Sequence, residues 1–250
     1  MRVVLGALWM IATATLAAPA PLRFSVSDSL AMPVVQVDGG VPTQGILYDL
    51  MSSLATQVGR PVSFHVLSRV RIAAAMAHGD IDVRCHVAQA WVNDLSGNYS
   101  WSVPLMVQRD VLVSVNSLPV KVDELAAQPI GTVLNYRYPL LDLLFASGQL
   151  SRDDARSEEQ VLQKLVAGRF HYAVMNEWIV DRFNQKVPVG QRLHKVATIE
   201  EQDLRCMVRN APDVPVQHIL RTLQHMKKSG EIDSIIQLYT GRPAANAPAD

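Results

Sequence analysis

Two cysteines, Cys85 and Cys206, are the only ones in a chain of 250 residues. Each sits in a strand-like run, Ile81-Asp82-Val83-Arg84-Cys85-His86-Val87 and Asp203-Leu204-Arg205-Cys206-Met207-Val208. Two readings are open. One is a single bridge, which closes a loop of about 120 residues and adds roughly 4–5 kcal/mol in the chain-entropy model; the other is a pair of buried thiols. Two Cys alone do not close a zinc site, and no HExxH or CxxC spacing is present. No metal and no cofactor is expected. The chain carries no GxSxG, P-loop or GxGxxG motif, and no spacing arranges Ser, His and Asp as a triad. Arg69 begins a helix, where a cation gains nothing from the helix dipole. Asn135, Tyr136 and Arg137 form a strand-to-helix turn, where free N–H groups favour anions.

These residues need strands and helices in alternation to position them, and the pattern supplies that from residue 22. A strand over 22–27 is followed by an apolar 3.6-period stripe of Ile46, Leu47, Leu50, Met51, Leu54, Ala55 and Val58. Gly59 ends that helix and Pro61 prevents its continuation. Strands over 62–67 and 81–87 flank a helix over 69–77. The second half predicts strands over 110–115, 130–134, 171–175, 193–199 and 204–208. It predicts helices over 122–127, 138–146, 158–167 and 177–183, and two closing helices over 214–229 and 232–239. Ser157 and Gln160 make a capping-box start for the helix at 158. The charged run Arg152-Asp153-Asp154-Ala155-Arg156 is expected to be a solvated loop. Strands separated by helices imply an α/β chain with parallel strands.

Composition sets the class. Lys plus Arg and Asp plus Glu are 23 each, so the formal charge is zero, and no nucleic-acid partner is expected. Apolar residues are 49% and charged ones 18%, enough for a real core. Arg2, the apolar run from Val3 to Ala12 and the small residues ending at Ala17 have the layout of a secretory signal over 1–17. A cleaved signal implies a periplasmic location, which permits a disulfide. The Pro/Ala-rich end, 242–250, is expected to be a disordered tail.

An ordered set of motifs resembles one family. Gly45-Ile46-Leu47-Tyr48-Asp49-Leu50, Gly79-Asp80-Ile81-Asp82, Trp101-Ser102 before Pro104, Ile130-Gly131, Gly168-Arg169 and Ser229-Gly230-Glu231-Ile232 are similar in type and order to the family 3 bacterial extracellular solute-binding proteins, the polar-amino-acid type of periplasmic receptor. The resemblance covers about 22–240. It implies a two-lobe periplasmic-binding-protein fold of type II. Lobe 1 would be 22–108 plus 199–241 and lobe 2 109–198, with hinges near 107–112 and 197–200. It places both cysteines in lobe 1, which favours the bridge. Asp49 matches an Asp of the family, on a helix beside apolar positions where a structural role is expected.

The family holds an α-carboxylate with an Arg after the Gly-Asp-Ile-Asp strand and an α-ammonium with an Asp after the Gly-Arg strand. Here the first stretch, Ala90-Trp91-Val92-Asn93-Asp94-Leu95, has no Arg, and the second position is Asn176. The usual zwitterion clamp is therefore missing. The resemblance directs a different set to the cleft: Arg69, His86, Trp91, Trp101, Asn135, Tyr136, Arg137, Asn176 and Glu177. Arg84 alternates with Cys85 along a strand and is expected on the sheet's other side, as a surface charge. Aromatic, Arg and amide groups suit a polar ligand with a flat or anionic part. The implied protein is a monomeric, non-catalytic solute-binding protein working with a membrane permease or a membrane-bound sensor. The alternatives are a dehydratase-like enzyme using Glu177 and an orphan sensory module.

Overall fold

The apolar stripe of the first helix buries all seven of its marked residues, from Ile46 to Val58, against a sheet. The structure is a computed structural model that describes residues 18–92 and 97–241; the expected signal and tail lie outside these residues. Strand β1 (Leu22–Ser27) leads to a hairpin of β2 (Gln36–Asp38) and β3 (Val41–Gln44). Helix α1 (Ile46–Val58), β4 (Val62–Leu67), α2 (Arg69–His78), β5 (Val83–Val87) and the short β6 (Tyr99–Trp101) follow. Next come β7 (Met106–Ser114), β8 (Gln128–Val133), α3 (Asp142–Ala146), β9 (Leu150–Ala155), α4 (Glu158–Val166), β10 (Tyr172–Asn176) and α5 (Glu177–Lys186). Strand β11 (His194–Arg209), α6 (Val216–Lys228) and α7 (Glu231–Thr240) close the chain.

The strands run in the order β4-β1-β5-β11-β7-β10-β8-β9, with β6 also on β11. Strand β11 belongs to both halves. Its end pairs with β5 and β6, and its beginning and middle pair with β7 from Ser114↔His194 to Met106↔Leu204. The sequence reads this stretch as two strands; it is one, and β7 and β11 together carry the chain between the halves. Two bulges sit on β11 opposite β7, at 195–197 and 198–200.

Other expectations are corrected. The charged run at 152–156 is mostly strand β9, not a loop. Its charges are met on the spot: the Arg152 guanidinium donates to the Val133 and Tyr136 carbonyls at 2.9 and 3.0 Å, and the Thr132 hydroxyl donates to Asp154 at 2.7 Å. Charged residues suit an edge strand, where they discourage pairing with other chains. The expected helices at 122–127 and 138–146 reduce to a 3-10 turn over Val122–Glu124 and a 3-10 turn plus the short α3. The second of these runs unbroken from Pro139 to Ala146, its first turn wound as 3-10 rather than α.

Two motif glycines have packing reasons. A Cβ on Gly131 would meet the Phe170 ring at 2.2 Å. Gly45 has φ +119°, and its Cβ would stand 2.7 Å from the Val35 Cα. The motif aspartate Asp82 is buried and accepts from the guanidinium groups of Arg23 at 2.6 Å and Arg209 at 2.8 Å. Asp49 takes a hydrogen bond from the Tyr239 hydroxyl at 2.8 Å, tying α1 to α7.

Candidate functional site

The site is built at the C-terminal ends of β1 and β5, where parallel strands hand over to helices and ligand sites are commonly placed. A cavity of about 30 Å³ lies there between the halves, the space of a water or two with the halves as close as they stand here, so a larger ligand needs them to move apart. The first half lines it with Ser25 and Ser27 of β1, Arg69 and Ile72 of α2, Arg84, Cys85 and His86 of β5, and Trp91. Gln108 and Asp110 enter from β7, and Tyr136, Arg137 and Glu158 from the second half.

A bulge explains why three consecutive β5 residues reach one cavity. Arg205 pairs with Val87 but Met207 pairs with Arg84, so Cys85 and His86 together face a single β11 position. His86 takes φ +59°, the left-handed conformation that one class of bulge uses. Cys85 is bridged to Cys206. Strict alternation, which sends Arg84 to the far face as a surface charge, fails here: Arg84 is 8% exposed and lines the cavity.

The polar groups here are poorly satisfied by the protein itself. Among the described residues Arg84 has no hydrogen-bond or ion-pair partner. Burial, reinforced by the charge of Arg69, lowers its pKa to about 10. The Ser25 hydroxyl, His86 Nε2, Trp91 Nε1 and Gln108 Oε1 are enclosed without a partner. Burial and the two arginines push His86 down to about 3, so the ring is neutral. Burial raises Asp110 to about 6, although the Gln108 amide donates to it at 2.7 Å. Burial also raises Glu158 to about 8, against the backbone N–H of Ala31 at 3.1 Å. Both acids are thus kept closer to neutrality than an exposed carboxylate.

Few bonds join the halves across this cavity. The Ser29 hydroxyl donates to the Tyr136 phenol oxygen at 3.2 Å. Glu158 accepts from Ala31, and its own N–H donates to the Ser29 carbonyl at 3.1 Å. The Arg69 guanidinium lies 4.5 Å from the Tyr136 ring centroid and 5.6 Å from that of Trp91. Arg152, through the Tyr136 carbonyl, steadies the turn that carries the phenol.

Of the residues expected in the cleft, Arg69, His86, Trp91, Tyr136 and Arg137 meet at the cavity. The other four line other surroundings. Trp101 packs in β6 beside Ile72, Met76 and Met207. Asn135 is exposed in its turn, at φ +63°. Asn176 caps α5, its Oδ1 accepting from the Trp178 N–H at 2.9 Å. Glu177 is taken up by Arg109 at 3.2 Å and Lys195 at 2.8 Å. Each is held by local structure rather than by the cavity. Sequence reasoning missed Ser25, Ser27, Arg84, Gln108, Asp110 and Glu158. For Glu158 a signal existed, since it is the first residue of the helix that Ser157 caps.

Among the described residues, no helix is long and apolar enough to cross a membrane. No protein-family model matches the chain, and no curated protein matches it. Solved structures do. An ancestral arginine-binding protein bound to glutamine is 20% identical, with a TM-score of 0.71, over 89% of this chain and 99% of that one. A histidine kinase sensor domain with similarity to periplasmic binding proteins is 17% identical, TM-score 0.71, over 91% and 99%. The substrate binding protein of an amino acid ABC transporter is 14% identical, TM-score 0.70, over 89% and 100%. The chain has the two-lobed α/β fold of the periplasmic binding proteins.

Proposed function

We propose that this chain is a divergent family 3 extracellular solute-binding protein, which captures a small polar ligand between its lobes and presents the closed form to a membrane partner. One observation carries the reading: a cavity lined by polar groups from both halves, several of which, on the first half, the protein leaves unsatisfied. Lobe 1, 22–108 plus 199–241, and lobe 2, 109–198, turn about β7 and β11, a hinge motion that opens and closes the cleft. Cleavage of the signal over 1–17 delivers the protein to the periplasm. The partner is a transporter permease or a membrane-bound sensor, a reading supported by the fold shared with the substrate binding protein of an amino acid ABC transporter and with a histidine kinase sensor domain. The role is binding without turnover.

A thermal-shift screen over amino acids, amines, organic acids and short peptides tests this, because a ligand of the folded state raises its melting point. Small-angle scattering with a found ligand is expected to report closure. A screen in which no compound shifts the melting point sinks the binding reading. Chemical conversion of a bound compound, followed by NMR, moves the reading to an enzyme.

A further inference from the structure

We infer that the cleft takes a small carboxylate that carries no ammonium group, its anionic end held by Arg84 with Arg69 beside it. This rests on the binding reading above. Arg84 is the strongest pointer. It is more than nine-tenths buried, it lines the cavity, and no described residue accepts from it. A guanidinium in that position is matched by a bidentate carboxylate. Of the neighbouring unpartnered groups, the Trp91 N–H can only donate and the Ser25 hydroxyl can donate, while the Gln108 Oε1 accepts and suits a hydroxyl or a second, protonated oxygen of the ligand.

An ammonium is poorly provided for. It needs an anion or an aromatic face. The two aromatic rings of the cavity, Tyr136 and Trp91, already carry the Arg69 guanidinium. The two acids, Asp110 and Glu158, each have one oxygen taken, by the Gln108 amide and the Ala31 N–H, and the Arg69 guanidinium already acts on the charge of both. The His86 ring stands beside two arginines and is neutral. The unmet charge in the cleft is positive, so the ligand's is negative.

Matched pairs test this on the disulfide-bonded chain: succinate against aspartate, 2-oxoglutarate against glutamate, and lactate against alanine, by thermal shift and calorimetry. The expected result is that at least one acid binds, about 10-fold or more tighter than its amino counterpart, and that Arg84→Gln weakens it about 30-fold or more. If Arg84→Gln does not fold, Arg69→Gln serves, with the same direction of loss. An amino member that binds as tightly as its acid overturns the inference. So does acid binding that survives both substitutions. If sulfate, phosphate, amines, sugars or peptides bind and none of the acids does, the inference falls while the binding reading stands. If nothing binds, both fall.

Discussion

Arg69 and Tyr136 come from opposite halves of the molecule, and the guanidinium of one lies 4.5 Å from the ring centroid of the other. A cation over a phenol ring contributes about 0.5–2 kcal/mol, more when water is excluded. This contact and three hydrogen bonds are the cross-cleft links described above, so its loss is felt in the open–closed balance. Arg69→Ala is expected to shift the ligand-free protein several-fold toward the open form. A larger radius of gyration by scattering checks this; an unchanged one shows that the pair does not hold the halves together.

Arg84 is a buried charge that nothing in the described protein compensates. Such a group costs stability, and an apolar side chain of similar length removes the cost. Arg84→Met is expected to raise the stability of the ligand-free protein by about 1–3 kcal/mol, measured by urea unfolding. A marked loss of stability instead means that the guanidinium has a structural partner.

Glu158 makes stability depend on pH. Its folded pKa, about 8, lies above the ordinary 4.5. The folded state therefore binds the proton more tightly, and stability falls as pH rises toward 8. Below 6.5 the buried neutral His86 works the other way, since its folded pKa is about 3. Asp110, at about 6, is half titrated at pH 6 and mostly ionised by pH 7, so it adds to the fall only below that. The window from pH 7 to 8 belongs chiefly to Glu158, and a loss of about 1 kcal/mol across it is expected. Calorimetric melting should show the decline, and Glu158→Gln should flatten it.

Cys85 and Cys206 are 121 residues apart and bridged between neighbouring strands. Constraining so long a loop stabilises by roughly 4–5 kcal/mol in the chain-entropy model. Replacing both with serine is expected to lower the melting temperature strongly while leaving the far-ultraviolet circular dichroism unchanged at low temperature. Intact mass before and after reduction tests the bridge itself, since an existing bridge gains two hydrogens.

The sequence was most legible where packing alone decides. Helix α1 and strand β4 have the bounds that periodicity predicts, and all seven residues of the α1 stripe are buried in the core between the sheet and the closing helices. It misled where charges are partnered at close range. Strand β9 looks like a loop until Arg152, Asp154 and Thr132 are seen to satisfy one another. The polar stretch Glu200-Glu201-Gln202-Asp203 looks like a break, yet it pairs residue by residue with β7. In the site, Arg69, Trp91 and Tyr136 were reachable through motif order. Arg84 was lost to strict strand alternation, which the bulge at Cys85 and His86 breaks. Asp110 and Gln108 were hidden for a related reason: a strand residue shows its facing only once the sheet around it is known.

The sixteen residues of β11 serve both halves of the nine-stranded sheet with one backbone, which makes the strand a common phase reference for the two. Inserting one residue near its middle would invert the in-and-out alternation of everything on one side of the insertion. The bulges at 195–197 and 198–200 already absorb one such offset each. Length changes can therefore be taken up at the bulges but not in the regularly paired stretch from Glu200 to Leu204, where a shift in one half would be transmitted to the other as a loss of register.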